Sequence, residues 1–177
     1  MAKSEKQKLK LLYIIQCLME KTDEEHAVTT QEIIDYLALQ GITAERKSIY
    51  TDIDLLIDFG MDIIKKPGRS GGYTLASRQF ELAELKLLVD AVQSSKFITT
   101  KKSRELIGKL ETLCSKYEAT QLHRQVVVTN RNKAINENIY YNVDIIYNAI
   151  AENVKIQFQY FEWNVSKEMK LRRDGNI

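Results

Sequence analysis

Arg46, Lys47, Ser48, Tyr50 and Thr51 bring two cations, two aliphatic hydroxyls and a phenol into one short stretch. Such groups suit phosphate oxygens and base edges, because guanidinium, ammonium and hydroxyl donors match the acceptors of a duplex groove. The same stretch holds Ile49, Ile53 and Leu56 at i, i+4 and i+7, the spacing of an inward helix face. At about 100° per residue, Lys47, Thr51 and Asp54 then project nearly opposite, with Ser48 and Tyr50 on the flanks. Asp54 and Asp58 fall in the C-terminal half, whereas Asp52 lies nearer the core side and is expected to hold a neighbouring helix or loop. Further along, Lys65 precedes and Lys66 and Arg69 lie in Lys66-Pro67-Gly68-Arg69-Ser70-Gly71-Gly72, a turn without acids that contains the chain's only proline. Cations on such a tip can follow a phosphate backbone, adding affinity that salt removes.

Elements must hold these residues in place. Leu9, Leu12, Ile15 and Met19 recur at helical spacing and predict a helix over 4–21. Lys3, Lys6, Lys8 and Lys10 crowd its start, either as a solvated face or as phosphate contacts. Thr29 and Glu32 have capping-box spacing at the start of a second helix, whose buried stripe is Ile33, Ile34 and Leu37. Gly41 supplies the positive φ that ends it, and Thr43 is expected to cap a third helix at about 44–59. Helix, short glycine turn and helix make a helix-turn-helix. Gly60 closes the third helix, and a hairpin over 62–75 completes a winged helix-turn-helix.

Leu82, Leu85, Leu88, Val89 and Val92 predict a helix over 81–97; Leu106, Leu110, Leu113, Cys114 and Tyr117 predict another over 101–118, with Thr99 or Thr100 as cap. This helical hairpin is either a spacer packed on the winged helix or a dimer interface. Residues 122–129 read as a short strand, 130–138 as a loop and 139–152 as a helix carrying Ile139, Val143, Ile146 and Ile150. Val154, Ile156, Phe158 and Tyr160 alternate with polar residues, the period of a half-buried strand over 154–162. The fold class is therefore α+β and mainly helical. The expected parts are a DNA-binding winged helix over 1–78, a helical linker or dimerisation region over 79–130, and the start of a β-rich domain over 131–177.

With 44% hydrophobic and 28% charged residues the chain should fold rather than stay disordered, and a net charge of +2 leaves any electrostatic footprint to local clusters. Cys17 and Cys114 lie in apolar patterns without CxxC spacing, as buried reduced thiols do, and His26 and His123 have no ligand-like neighbours. No metal or cofactor is expected. Neither a membrane span nor a signal peptide is visible, so a cytoplasmic protein is expected.

Thr43 to Leu56 with Gly60, then Gly72-Tyr73-Thr74-Leu75, then Phe80-Glu81-Leu82-Ala83-Glu84-Leu85 resemble the N-terminal half of bacterial WYL-domain transcriptional regulators. The resemblance extends more weakly to the end of the chain. It implies a third helix that reads operator DNA through Arg46, Lys47, Ser48, Tyr50 and Thr51, and a wing that touches the backbone through Lys65, Lys66 and Arg69. It also implies a homodimer, and an effector sensed by a WYL domain, an Sm-like β-barrel of which only the opening helix and strand would be present. The tripeptide that names that domain does not occur here.

Catalysis is not expected: no nucleophile–base–orienter set or Walker spacing is present, and Gly68 to Gly72 precedes a strand instead of a helix. The rival reading is a winged-helix module that uses the exposed third-helix face for another protein. Only Tyr50 is aromatic on that face, and interface cores favour aromatics.

Overall fold

The computed structural model describes residues 6–68, 71–124, 138–159, 161–166 and 168–171. They form a mainly helical α+β protein with a winged-helix-like region, divided into two compact units, 1–133 and 134–177.

The first unit opens with α1 (Lys10–Lys21), α2 (Thr30–Leu39) and α3 (Arg46–Asp58). Thr29 caps α2 as its spacing predicts: its hydroxyl accepts from the Glu32 N–H at 3.2 Å and Glu32 accepts from the Thr29 N–H at 2.7 Å. Gly41, at φ +75°, ends α2, and the Ile42 N–H returns to the Leu37 carbonyl at 2.9 Å. Gly60, at φ +104°, ends α3 in the same way, with the Met61 N–H on the Leu56 carbonyl at 3.0 Å. Thr43 does not cap α3; the N-cap position is Glu45, which makes no side-chain cap bond. Thr43 lies too early, and its carbonyl is instead bound by Gln7.

The wing pairs β1 (Ile63–Lys66) with β2 (Gly72–Leu75), antiparallel, with Ile63 opposite Leu75 and Lys66 opposite Gly72. Val28 adds one further rung by exchanging backbone hydrogen bonds with Tyr73 at 3.0 and 2.8 Å. A Cβ on Gly72 would stand 2.3 Å from the Val28 carbonyl oxygen, so that rung requires glycine. Ile14, Cys17, Leu18, Ile33, Leu37, Ile49, Ile53, Leu56, Ile63, Tyr73 and Leu75 share one core behind helices and wing.

Three further helices, α4 (Leu82–Ser94), α5 (Thr100–Glu111) and α6 (Lys116–Arg124), close a second core of Leu85, Val89, Ile107, Cys114 and Leu122. Thr99 caps α5 as expected, accepting from the Lys102 N–H at 3.1 Å. The single helix expected over 101–118 is broken at 112–115. Ser115 and Glu118 form a capping box there: the Ser115 hydroxyl accepts from the Glu118 N–H at 3.1 Å, and Glu118 accepts from the Ser115 N–H at 3.0 Å. That restart carries the helix through 122–124, where a strand was expected; 125–129 lie outside the described residues.

Within the second unit, α7 (Ile139–Glu152) spans the expected helix and ends on Asn153 at φ +54°. The strand expected over 154–162 does not form along 154–159, which are exposed and without regular structure; Tyr160 lies outside the described residues. Alternation supplies a face but no partner, and an unpaired strand is not stable. Pairing begins with β3 (Phe161–Trp163) against β4 (Met169–Leu171).

Candidate nucleic-acid interface

α3 buries Ile49, Asp52, Ile53 and Leu56 and exposes Arg46, Lys47, Tyr50, Thr51, Asp54 and Asp58, the division that its periodicity predicts. The helix is fixed from one side by α1. Lys10 Nζ lies 2.7 Å from the Asp52 carboxylate and 2.5 Å from Ser48 Oγ, with both charged side chains largely buried. Asp52 is thus the structural acid expected from its place near the core. Lys10, grouped with the other lysines as a surface cation, is its partner. A buried pair is costly to break, because either charge left alone stays desolvated.

The eight candidate residues separate by what already occupies them. Lys47 and Tyr50 make no side-chain hydrogen bond or ion pair among the described residues. Thr51 Oγ1 donates to its own helix, at the Lys47 carbonyl, over 3.3 Å, and Arg46 donates to Gln31 Oε1 over 3.3 Å, both long and exposed contacts. Ser48 is half-buried and accepts from Lys10. Lys65 pairs with Asp54 across the gap from wing to helix at 2.5 Å, and hydrogen bonding to that carboxylate raises the ammonium's pKa above its ordinary value. Lys66 donates to the Glu24 carbonyl at 2.9 Å. Arg69 lies outside the described residues. Arg46, Lys47, Tyr50 and Thr51 therefore present one open face, while Ser48, Lys65 and Lys66 also serve to hold helix, wing and loop together.

The loop between α1 and α2 joins these parts to the second core. Buried Asp23 accepts from Ser115 Oγ at 2.6 Å and from the His26 and Glu25 N–H groups at 2.8 and 3.1 Å; the His26 ring Nδ1 lies 2.7 Å away. Burial works to raise this carboxyl's pKa, and the Ser115 and His26 hydrogen bonds outweigh it, leaving the pKa below its usual value. His26 stacks on Tyr117, ring centroids 3.7 Å apart. Thr22 Oγ1 accepts from the Leu75 N–H at 3.0 Å and donates to the Leu18 carbonyl at 2.6 Å, while Arg78 donates to the Met19 and Thr22 carbonyls. Polarity alone predicts no more than a loop over 22–26. The one local signal was the Ser115-x-x-Glu118 spacing, which marks a helix start beside Asp23 only once the fold is known.

No cluster of His, Cys, Asp and Glu suited to a metal ion occurs among the described residues. Cys17 and Cys114 are buried, and burial pushes both thiols up to about 11, which disfavours the thiolate at neutral pH. No helix among the described residues is long and apolar enough to cross a membrane.

No curated protein and no solved structure matches the chain. The family model described as FokI, D3 domain matches residues 12–68, from α1 through β1 to the wing turn. That match overturns the resemblance to WYL-domain regulators, which rests on Thr43 to Leu56 and Gly60 inside the matched segment and on 72–75 and 80–85 beyond it. Winged helices share their capping, turn and inward-face residues across families, so those residues could carry the architecture without the lineage. The expectation of a WYL effector domain, and of an effector bound there, falls with the resemblance. The segment that the comparisons place is similar to the FokI D3 domain.

Proposed function

We propose that this chain is a sequence-specific reader of double-stranded DNA. The N-terminal half of α3 would lie in the major groove, with Arg46, Lys47, Tyr50 and Thr51 toward base edges and phosphates. The wing at 62–75 would follow the backbone. The observation that carries this reading is the open face of α3, held rigid by the Lys10–Asp52 pair and flanked by a hairpin with a basic turn. The similarity to the D3 domain of FokI, a DNA-binding domain of a restriction endonuclease, supports it. Its content is binding, with no catalytic step assigned. In its finer form, a homodimer binds a two-fold operator and regulates transcription.

Selection of duplexes from a random pool tests both levels. One enriched motif, lost when Lys47 or Thr51 is replaced by Ala, supports sequence-specific reading; each base-edge contact removed should relax preference by about 1–3 kcal/mol at its position. An inverted repeat in that motif supports the dimer, and a single half-site removes it. Failure to enrich any motif would defeat the proposal.

One observation favours a second reading, an interface with another protein. Leu55 in the C-terminal half of α3 and Phe59, its C-cap residue, are 50% and 81% exposed. Salt separates the two, since phosphate contacts weaken steeply between low and moderate salt and apolar ones do not.

A further inference from the structure

The segment that leads into α1 lies across the entrance to α3. Gln7 Nε2 donates to the Thr43 carbonyl at 3.0 Å, just before α3 begins, and Lys10 grips Ser48 and Asp52 one turn and two turns further along. One residue before Gln7, the Lys6 ammonium stands over the helix-turn-helix turn. A Cβ built on Gly41 would come within 2.8 Å of Lys6 Nζ, which places the ammonium beside that turn. Gly41 also needs its freedom for φ +75°, and the turn it makes leads directly to Arg46 and Lys47. The chain thus places a third ammonium or guanidinium group beside the end of α3 that carries the candidate base contacts. Glu45, the α3 N-cap residue, is the acid among these cations.

Lys6 and Lys10 differ in what they are free to do. Lys10 is largely buried and neutralised by Asp52. The Lys6 side chain is exposed and makes no hydrogen bond or ion pair among the described residues. When the N-terminal residues of a recognition helix enter the major groove, the phosphates of the groove edge flank that end of the helix. An exposed cation beside the preceding turn is then within reach of the backbone.

The geometry points to Lys6 as a phosphate-binding residue of the DNA interface, delivered by the segment before α1 and positioned by the Gln7–Thr43 anchor beside the Gly41 turn. This rests on the DNA-reading proposal above. Because a phosphate carries no sequence information, Lys6 contributes affinity and salt sensitivity without altering which base pairs are preferred.

The test is a salt titration of the full chain by fluorescence anisotropy, using a duplex that the wild-type chain enriches from a random pool. Each phosphate contact contributes about 0.9 to the slope of log affinity against log salt, so a fourfold rise in salt should weaken wild type about 3- to 4-fold more than Lys6→Gln. Lys6→Arg should keep the wild-type slope. Lys109→Gln, an exposed cation in α5, should keep it too, and the enriched motif should be the same for all. A wild-type slope in Lys6→Gln overturns the inference while leaving DNA reading intact. So does an equal loss in Lys109→Gln, which would make the effect one of net charge. Absence of any binding by wild type defeats the DNA-reading proposal itself, and this inference with it.

Discussion

Among the described residues two antiparallel hairpins stand in different circumstances. In β1–β2, Ile63, Tyr73 and Leu75 enter the core of the helix-turn-helix, Val28 adds a rung to the inner strand, and Thr22 takes the Leu75 N–H. In β3–β4, three residues pair with three, and the approach from 154 to 159 is exposed. The first was expected as a hairpin over 62–75, whereas for the second only a single alternating strand over 154–162 was expected. The first has the helix-turn-helix core to alternate against. Pairing alone is marginal in water, and burial behind the sheet is what turns a hairpin into a fixed part of an interface.

The strongest test of that contrast removes one side chain on each side of it. Tyr73→Ala should cost about 3–5 kcal/mol of stability, the range for deleting a buried aromatic. Phe158→Ala, at a residue 66% exposed, should stay within about 0.5 kcal/mol. Urea unfolding of the two variants measures both, and an equal cost would break the comparison.

A smaller effect sharpens it. Asp23→Asn weakens the joint that ties the loop beside the wing to α6, and should cost about 1–3 kcal/mol, since Ser115 Oγ and two N–H groups lose a charged acceptor. The carboxyl's folded pKa lies below its unfolded value, so its stabilisation is complete above the unfolded pKa and disappears as pH falls through the folded one. Wild type should therefore lose stability on acidification below the ordinary carboxylate range, and Asp23→Asn should lose less over the same interval. Parallel acid profiles for the two would count against Asp23 as the anchor.

The smallest effect concerns the wing's own charges. On the DNA-reading proposal Asp54 would compete with DNA for Lys65, so Asp54→Asn should free one cation and steepen the salt slope by up to about 0.9 while raising affinity at low salt. A double-mutant cycle with Lys65→Gln isolates the pair; additive effects would show that Lys65 does not serve two partners.

How much was legible in the sequence depended on distance along the chain. Thr29-x-x-Glu32, Gly41, Gly60 and the Ile49, Ile53, Leu56 stripe are local signals, and each forms the structure its spacing predicts. The side of α3 that faces outward followed from periodicity alone. What the cations of neighbouring elements would meet did not: Lys65 meets Asp54 eleven residues away, Lys10 meets Asp52, and Lys66 meets the carbonyl of Glu24, all through tertiary placement. The break at 112–115 had a local signal in Ser115 and Glu118, masked by an apolar stripe that continued past it. The strand expected over 154–162 failed for the opposite reason, since its pattern was clear and its partner was absent. Family was the least legible, because the same few capping and turning residues serve any winged helix.

The hydrogen bond between Ser115 and Asp23 spans ninety-two positions of the chain. It bears on where the molecule can be cut. The segment similar to FokI D3 ends at residue 68, before Tyr73 and Leu75 have supplied the inner strand of the wing. A piece trimmed there would leave Val28 without its rung, and one trimmed after the wing would leave Asp23 buried without its Ser115 donor. The shortest excised fragment that keeps α3 and its wing as they stand runs through α6, to about residue 124.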